Sequence, residues 1–164
     1  MSAKAKQIYL AAPFFCQSER LFNDLLVREL ETAWRVFYPY RDGPRMADLI
    51  ARGISSEDAV EQVWLSDLEE IRSCDLVVAV LDGRVSDEGV CVELGLARGS
   101  GKSVIGLFTD SRSCFPWGAN PMVTGSLSAI CTDPSVLVRM VTECFEAQAA
   151  QQALAADAPE AARR

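Results

Sequence analysis

One carboxylate stands in a stretch that is otherwise wholly apolar. Val90-Cys91-Val92-Glu93-Leu94-Gly95-Leu96-Ala97 reads as helix, with Val90, Leu94 and Ala97 in one row. Glu93 lies three residues after Val90 and four before Ala97, so helical spacing puts it on their inward face. A carboxylate there costs several kcal/mol unless it is paired or used. Asp67 poses the same question on another helix, where it falls between Trp64, Leu68 and Ile71, close to the edge of the apolar stripe. Asp87 stands at a strand-to-helix turn, a position where an acid also serves as a helix cap. Two such acids on helices flanking one central strand suit the cleavage of a glycosidic bond by double displacement. One carboxylate attacks the anomeric carbon and a second group hands a proton to the leaving group. Each acid alone is also compatible with a structural network of satisfied core carboxylates.

The rest of the composition narrows the chemistry. The 164 residues include no histidine, which excludes Ser-His-Asp and Cys-His nucleophile pairs, HExxH zinc sites and histidine general bases. Carboxylates, tyrosine, cysteine and lysine remain. Sixteen basic against twenty-three acidic side chains give a net charge of −7, which argues against a nucleic-acid partner. The six cysteines, at 16, 74, 91, 114, 131 and 144, form no CxxC pair and no paired metal-ligand spacing, so neither metal nor cofactor is expected. Reduced thiols in a cytoplasmic protein follow as the simple expectation. No segment reaches the ~18 apolar residues of a membrane span, and the start MSAKAKQ leads into a short apolar run that reads as a strand rather than a signal peptide. Gly99-Ser100-Gly101-Lys102-Ser103 has the look of a phosphate loop. It has Leu96 where the motif needs glycine, however, and it joins a helix end to a strand instead of the reverse.

The elements that must position these acids follow from periodicity. Ile8 to Ala12 reads as a buried first strand, followed by an amphipathic helix from Ser18 to about Thr32 with Leu21, Leu25, Leu26 and Leu30 at helical spacing. Arg35 to Tyr38 is a second strand ended by Pro39. Residues 40–53 form a loop with one helical turn at Met46 to Ala51. A long helix begins at Ser55, with Val60, Val63, Trp64, Leu68 and Ile71 as its expected inner face. Asp75 to Leu81 is the continuous apolar run of a strand covered on both sides. A helix from Asp87 to Arg98, a strand from Ser103 to Phe108, a weaker strand from Leu127 to Cys131 and a last helix from Pro134 to about Ala150 complete the series. Strands alternating with helices make a parallel sheet covered on both faces, which binds ligands beyond the carboxyl ends of its strands. Pro13, Phe14 and Phe15 lie at such an end, as does Asp42, and the two phenylalanines are suited to stacking on a planar base.

These residues together carry a resemblance. Ile8-Tyr9-Leu10-Ala11-Ala12-Pro13, the block from Asp67 to Ala79, the block Asp87 to Ala97 around Glu93, and Gly101-Lys102-Ser103-Val104-Ile105 resemble the nucleoside 2-deoxyribosyltransferase family in order, from about residue 7 to 131. The resemblance implies a flavodoxin-like α/β fold, a five-stranded parallel sheet with helices on both faces. It also implies a retaining, two-step transfer of deoxyribose between nucleobases. Glu93 matches the family's nucleophile, Tyr9 the tyrosine that holds that carboxylate in line, and Asp67 the acid that handles the base's proton. Asp87 matches the acid that binds the sugar 5′-hydroxyl, with Gly89 in the same turn. Asn120 and Met122 match a segment that reaches into a neighbouring subunit's site, which implies a homo-oligomer with shared sites. The implied partners are 2′-deoxynucleosides and free nucleobases, in nucleoside salvage. Transfer instead of hydrolysis requires a dry site, for which Phe14, Phe15 and Trp117 are the available cover.

Two other functions are compatible with the same residues. A related hydrolase of deoxynucleoside 5′-monophosphates shares fold and nucleophile, and Ser18 and Ser86 are candidate phosphate contacts. Those hydrolases tend to carry serine where this chain has Asp87, and a carboxylate there repels a phosphate dianion. A non-catalytic nucleotide sensor of the same fold would have no need of Tyr9, Asp67, Asp87 and Glu93 together. The expected division is a transferase-like domain over residues 1–146 and an Ala-rich, frayed or disordered extension over 147–164, which lacks a C-terminal tyrosine to close the site.

Overall fold

The computed structural model describes residues 5–112 and 119–157. Cys114 and Trp117 lie outside them. Five strands, β1 (Gln7–Ala11), β2 (Arg35–Phe37), β3 (Leu76–Val80), β4 (Ser103–Leu107) and β5 (Ala129–Cys131), form one sheet in the order β2-β1-β3-β4-β5. Every pairing is parallel. This is the flavodoxin-like arrangement expected, and the strand order reverses between β1 and β3, the point at which such sheets take their ligands.

Alternation along the strands sends side chains to two separate cores. Ile8 and Leu10 of β1, with Leu76, Val78, Val80, Ile105 and Leu107, meet α1 (Gln17–Glu31) and α7 (Leu137–Asp157) through Leu26, Leu30, Val141 and Phe145. Tyr9 and Ala11, with Val77, Ala79 and Val104, meet α4 (Ser56–Ser73) and α5 (Glu88–Gly99) through Ile71, Val90, Leu94 and Ala97. Full burial of each such aliphatic side chain stabilises by about 1.5–3 kcal/mol, so both cores contribute heavily. Among the described residues no helix is long and apolar enough to cross a membrane.

The inner faces of two helices differ from those the sequence suggests. Val60 and Trp64 of α4 are 58% and 45% exposed, and the inner row is instead Ala59 and Ile71, both buried, with Val63 and Asp67 half-buried between them. Leu21 and Leu25 are likewise exposed, because α1 packs through Asn23, Leu26, Val27 and Leu30, an i, i+3, i+4, i+7 stripe that the other two leucines miss. The loop after β2 also holds more helix than expected: Tyr38 caps a single turn, α2 (Pro39–Asp42), with proline at its first position, and α3 (Met46–Ala51) follows. The Ala-rich residues 147–157 continue α7 as helix, since alanine and glutamine favour it without needing an apolar face.

One row across the sheet is built of small residues. Ala11 of β1 pairs with Ala79 of β3, which pairs with Gly106 of β4. A Cβ on Gly106 would stand 2.6 Å from Leu127 Cδ1 and 3.0 Å from Leu81 Cδ1, so two leucines occupy the space that the missing side chain leaves. Gly106→Ala is expected to cost about 1–3 kcal/mol by overpacking, read as a lowered melting temperature in circular dichroism. An unchanged melting temperature would mean that the leucines move aside freely.

Candidate active site

Tyr9 is buried in the middle of the sheet, and its hydroxyl donates a hydrogen bond to Glu93 Oε1 at 2.6 Å. The tyrosine ring is held in turn by Phe37, its register partner on β2, with ring centroids 5.7 Å apart and planes 23° apart. Glu93 projects from α5 among apolar neighbours, and that burial pushes its carboxyl up to about 8. Asp67 and Asp87 push it in the same direction by charge repulsion, while the tyrosine hydroxyl opposes them by favouring the carboxylate. The same burial, together with the Glu93 charge, holds the Tyr9 phenol far above its ordinary value, so it acts as a donor and stays protonated.

Asp67 lies on the inward row of α4, half-buried, and desolvation with help from the neighbouring Glu70 raises its carboxyl to about 6. Glu70 is fixed at 2.6 Å by Gln7 Nε2 at the start of β1. Asp87 caps α5, its Oδ1 accepting from the Val90 amide at 3.0 Å. Gly89 is exposed in that first turn, where a Cβ would come within 3.1 Å of the same oxygen, so glycine leaves the capping carboxylate undisturbed. Tyr9, Asp67, Asp87 and Glu93 thus converge from β1, α4 and α5, coupled through one hydrogen bond and mutual charge.

The loop leaving β1 carries an aromatic group. Phe14 contacts Phe15 at 5.0 Å, Tyr40 at 5.3 Å and Tyr38 edge-on at 6.4 Å, and Phe15 is 71% exposed. Pro13 is half-buried beneath them. Tyr38 and Tyr40 lie at the strand end where the sequence places aromatic loops, whereas Phe37 gives no signal of its own, because only the β1–β2 register sets it against Tyr9.

The remaining candidates are placed elsewhere. Both oxygens of Asp42 are occupied within its own turn, Oδ2 by the Tyr38 amide and Oδ1 by Arg41, so it fixes α2 rather than standing ready for a base. Asn120 caps α6 (Pro121–Gly125) by accepting from the Met122 amide at 2.9 Å, and Met122 is 81% exposed. Asn120 also lines a cavity of about 510 Å³ with Ser86, Cys91, Phe108 and Val123; neither Tyr9 nor Glu93 lines it. Asp82 joins the two loops that frame this cavity, accepting from Thr109 and from the Asp110 amide. Ser18 is exposed beside Cys16. Among the described residues no group of three or more Cys, Asp or Glu is arranged to hold a metal ion.

The geometry can support a nucleophilic displacement. Glu93 has one oxygen engaged by Tyr9, leaving Oε2 as the atom for attack. Asp67 titrates near 6, which suits an acid that both gives and takes a proton close to neutrality.

Comparison with known proteins gives concordant results. A family model described as nucleoside 2-deoxyribosyltransferase matches residues 8–154. Among curated proteins none matches the chain. A conserved protein from Enterococcus faecalis V583 is similar in structure at 24% identity, with a TM-score of 0.68 over 85% of this chain and 99% of that one. A 2-deoxyribosyltransferase from Bacillus psychrosaccharolyticus is 26% identical, with a TM-score of 0.64 over 80% and 90% of the two chains. A CMP N-glycosidase from Clostridium botulinum shares the fold at 19% identity, with a TM-score of 0.54 over 84% and 99%.

The raised Glu93 carboxyl has a consequence for stability. The unfolded chain loses this proton near 4.5, whereas the folded chain keeps it to about 8, so folding weakens as pH rises through that window. The slope is at most about 1.4 kcal/mol per pH unit. Glu93→Gln is expected to gain on the wild type progressively from pH 4.5 to 8 in thermal melts. Parallel melting curves across that range would contradict the assignment.

Proposed function

The chain belongs to the nucleoside 2-deoxyribosyltransferase family, and we propose that it transfers 2-deoxyribose between nucleobases through a covalent deoxyribosyl–Glu93 intermediate. The observation that carries this reading is the 2.6 Å hydrogen bond from a buried tyrosine to a carboxylate that has little other solvation. In the first step Glu93 Oε2 attacks C1′ of a 2′-deoxynucleoside. The C1′–N bond breaks with its electron pair going to the base, which takes the Asp67 proton. In the second step a nitrogen of an acceptor base attacks C1′ from the vacated side, Glu93 leaves as carboxylate, and the acceptor's proton returns to Asp67. Removal of water from the carboxylate strengthens it as a nucleophile once it is aligned on an oxocarbenium-like carbon.

The other residues take supporting roles. Asp87 spends Oδ1 on its helix cap, and Oδ2 is the oxygen for the sugar 5′-hydroxyl. Phe14 and Phe15 stack on the base and exclude water. Asn120 and Met122 complete the site of a second copy in a homo-oligomer, a role supported by the exposure of Met122. The enzyme works in the cytoplasm, in nucleoside salvage, with its cysteines free; the five described ones form no disulfide. Its substrates are 2′-deoxynucleosides and free nucleobases, with neither nucleic acid nor membrane as partner. Hydrolysis of deoxynucleoside 5′-monophosphates is the competing possibility. It is disfavoured by the negative charge of Asp87 at the end of the sugar where a phosphate would sit.

The purified protein, given a 2′-deoxynucleoside and a second free base, is expected to form the exchanged nucleoside, and Glu93→Ala to abolish it. Release of base from 5′-monophosphates without any exchange product would establish the hydrolase instead. Between about pH 6 and 8 the Asp67–Glu93 pair holds one proton, mainly on Glu93, and turnover proceeds through the minor form that carries it on Asp67. The profile of kcat/KM against pH is therefore expected to be bell-shaped with limbs near those values. Tyr9→Phe removes the bond that favours the carboxylate. It should move the alkaline limb upward and lower the maximum about 10- to 100-fold, the scale of one hydrogen bond to a charged group. A flat profile, or an alkaline limb unmoved in Tyr9→Phe, would reject the protonation scheme.

A further inference from the structure

Asn23 is the one polar or charged side chain that is fully buried among the described residues, at 1% exposure. It lies on α1, on the face of the sheet opposite Glu93, and takes no part in the chemistry above. Its Nδ2 donates to the Pro13 carbonyl at 2.8 Å and to the Tyr38 hydroxyl at 2.9 Å. One turn earlier, Arg20 Nη1 donates to the Phe14 carbonyl at 2.9 Å, and the same guanidinium lies 5.7 Å from the centre of the Tyr40 ring. Residues 20 and 23 share a helix face, so α1 captures two successive carbonyls of the loop that leaves β1. Neither carbonyl belongs to a strand.

A buried amide is a costly way to hold a surface loop, because its desolvation must be offset by well-formed hydrogen bonds. What it holds is a short lip whose last phenylalanine is mostly in solvent. Solvation alone gives no reason to fix an exposed phenylalanine so firmly, whereas a stacking surface for a planar ligand needs a fixed position. Tyr38, the cap of α2, and Tyr40 within it back the lip, and each is itself engaged by Asn23 or Arg20. Lip, backing and helix thus form one mount.

We propose that Arg20 and Asn23 are positioning residues that hold the Pro13–Phe15 lip over the reacting carbon, and so set the ratio of deoxyribosyl transfer to hydrolysis. The inference rests on the transfer reaction proposed above. The covalent intermediate has two fates. In one, a base nitrogen forms the new bond to C1′ as the bond to Glu93 breaks, and the nitrogen's proton passes to Asp67. In the other, a water oxygen forms that bond, its proton passes to Asp67, and free 2-deoxyribose leaves. The enzyme's own bond changes are identical in both, so the outcome depends on which nucleophile stands next to C1′. A held lip stacks the acceptor and keeps water away; a released lip does the reverse.

The test compares wild type with Arg20→Met and Asn23→Asp, each given a 2′-deoxynucleoside and an acceptor base. Chromatography measures free 2-deoxyribose against exchanged nucleoside. Arg20→Met, at the surface, is the variant that leaves the core intact, and Asn23→Asp keeps the shape while removing the donor. Both are expected to raise the hydrolysis-to-transfer ratio about threefold to tenfold, whatever the absolute rate, the scale of one lost hydrogen bond. In a Phe15→Ala background, where the lip is already open, Arg20→Met should add little to the ratio. Loss of both products in constant proportion would show a structural role only and overturn the inference, as would a further full-sized rise in the Phe15→Ala background. A wild type that forms no exchanged nucleoside overturns the transfer reaction itself, and this inference with it, before any variant is compared.

Discussion

A carboxylate set against Val90, Leu94 and Ala97 gives up most of its hydration, and one phenolic hydroxyl supplies the main replacement. That contact works only if the tyrosine cannot move. Tyr9 therefore comes from β1, next to the centre of a parallel sheet, where its backbone is bonded on both sides and its ring lies on Phe37. The partner helix has to arrive at one angle and depth, which the Asp87 cap and the apolar row of α5 provide. Much of the architecture on this face of the sheet follows from keeping two oxygen atoms 2.6 Å apart.

The acids around that contact work against the stability of the fold. Asp67, Asp87 and Glu93 repel one another in a chain that already carries a net charge of −7, and no described lysine or arginine pairs with any of them. The cations are used elsewhere: Arg41 on Asp42 and Glu31, Arg45 on Asp48, and Lys6 on Asp75. Leaving Asp67 and Glu93 without counter-ions keeps their protons available near neutrality, since a neighbouring guanidinium would hold Asp67 ionised and remove it as an acid. The structural cores on both faces of the sheet absorb this cost.

Sequence spacing was informative where one element decides the outcome, and misleading where two elements must meet. Glu93 stands out because three apolar neighbours on its own helix define the inward face, and the parallel sheet follows from alternating strands and helices, whereas its flavodoxin-like order is implied only by the family resemblance. Spacing puts Asp67 at the edge of an apolar stripe that includes Trp64, whereas in the fold it is half-buried in line with Ala59, Val63 and Ile71 while Trp64 is exposed. Helical repeats of large apolar residues gave the wrong face there and at Leu21 and Leu25, where small or polar residues make the closer contact. Asp42 looked free as a loop acid, and a one-turn helix begun by Pro39 occupies both its oxygens. Asn23 gave no signal at all, because its partners are backbone carbonyl and phenol groups brought from other segments. Interactions of that kind have no period along the chain.

The small-residue row Ala11–Ala79–Gly106 also bears on how the chain finds its strand alignment. Strands covered on both faces are apolar at every position, so the alternation that specifies alignment in a half-exposed sheet is missing here. Sliding β4 by one residue would exchange one aliphatic face for another at little cost in burial. It would also turn Gly106 away from Leu127 and Leu81 and bring Ile105 or Leu107 into the gap those two leucines fill. The glycine thus acts as a checkpoint during assembly. A slipped pairing of β4 meets that collision, and the aligned one leaves both leucines in place.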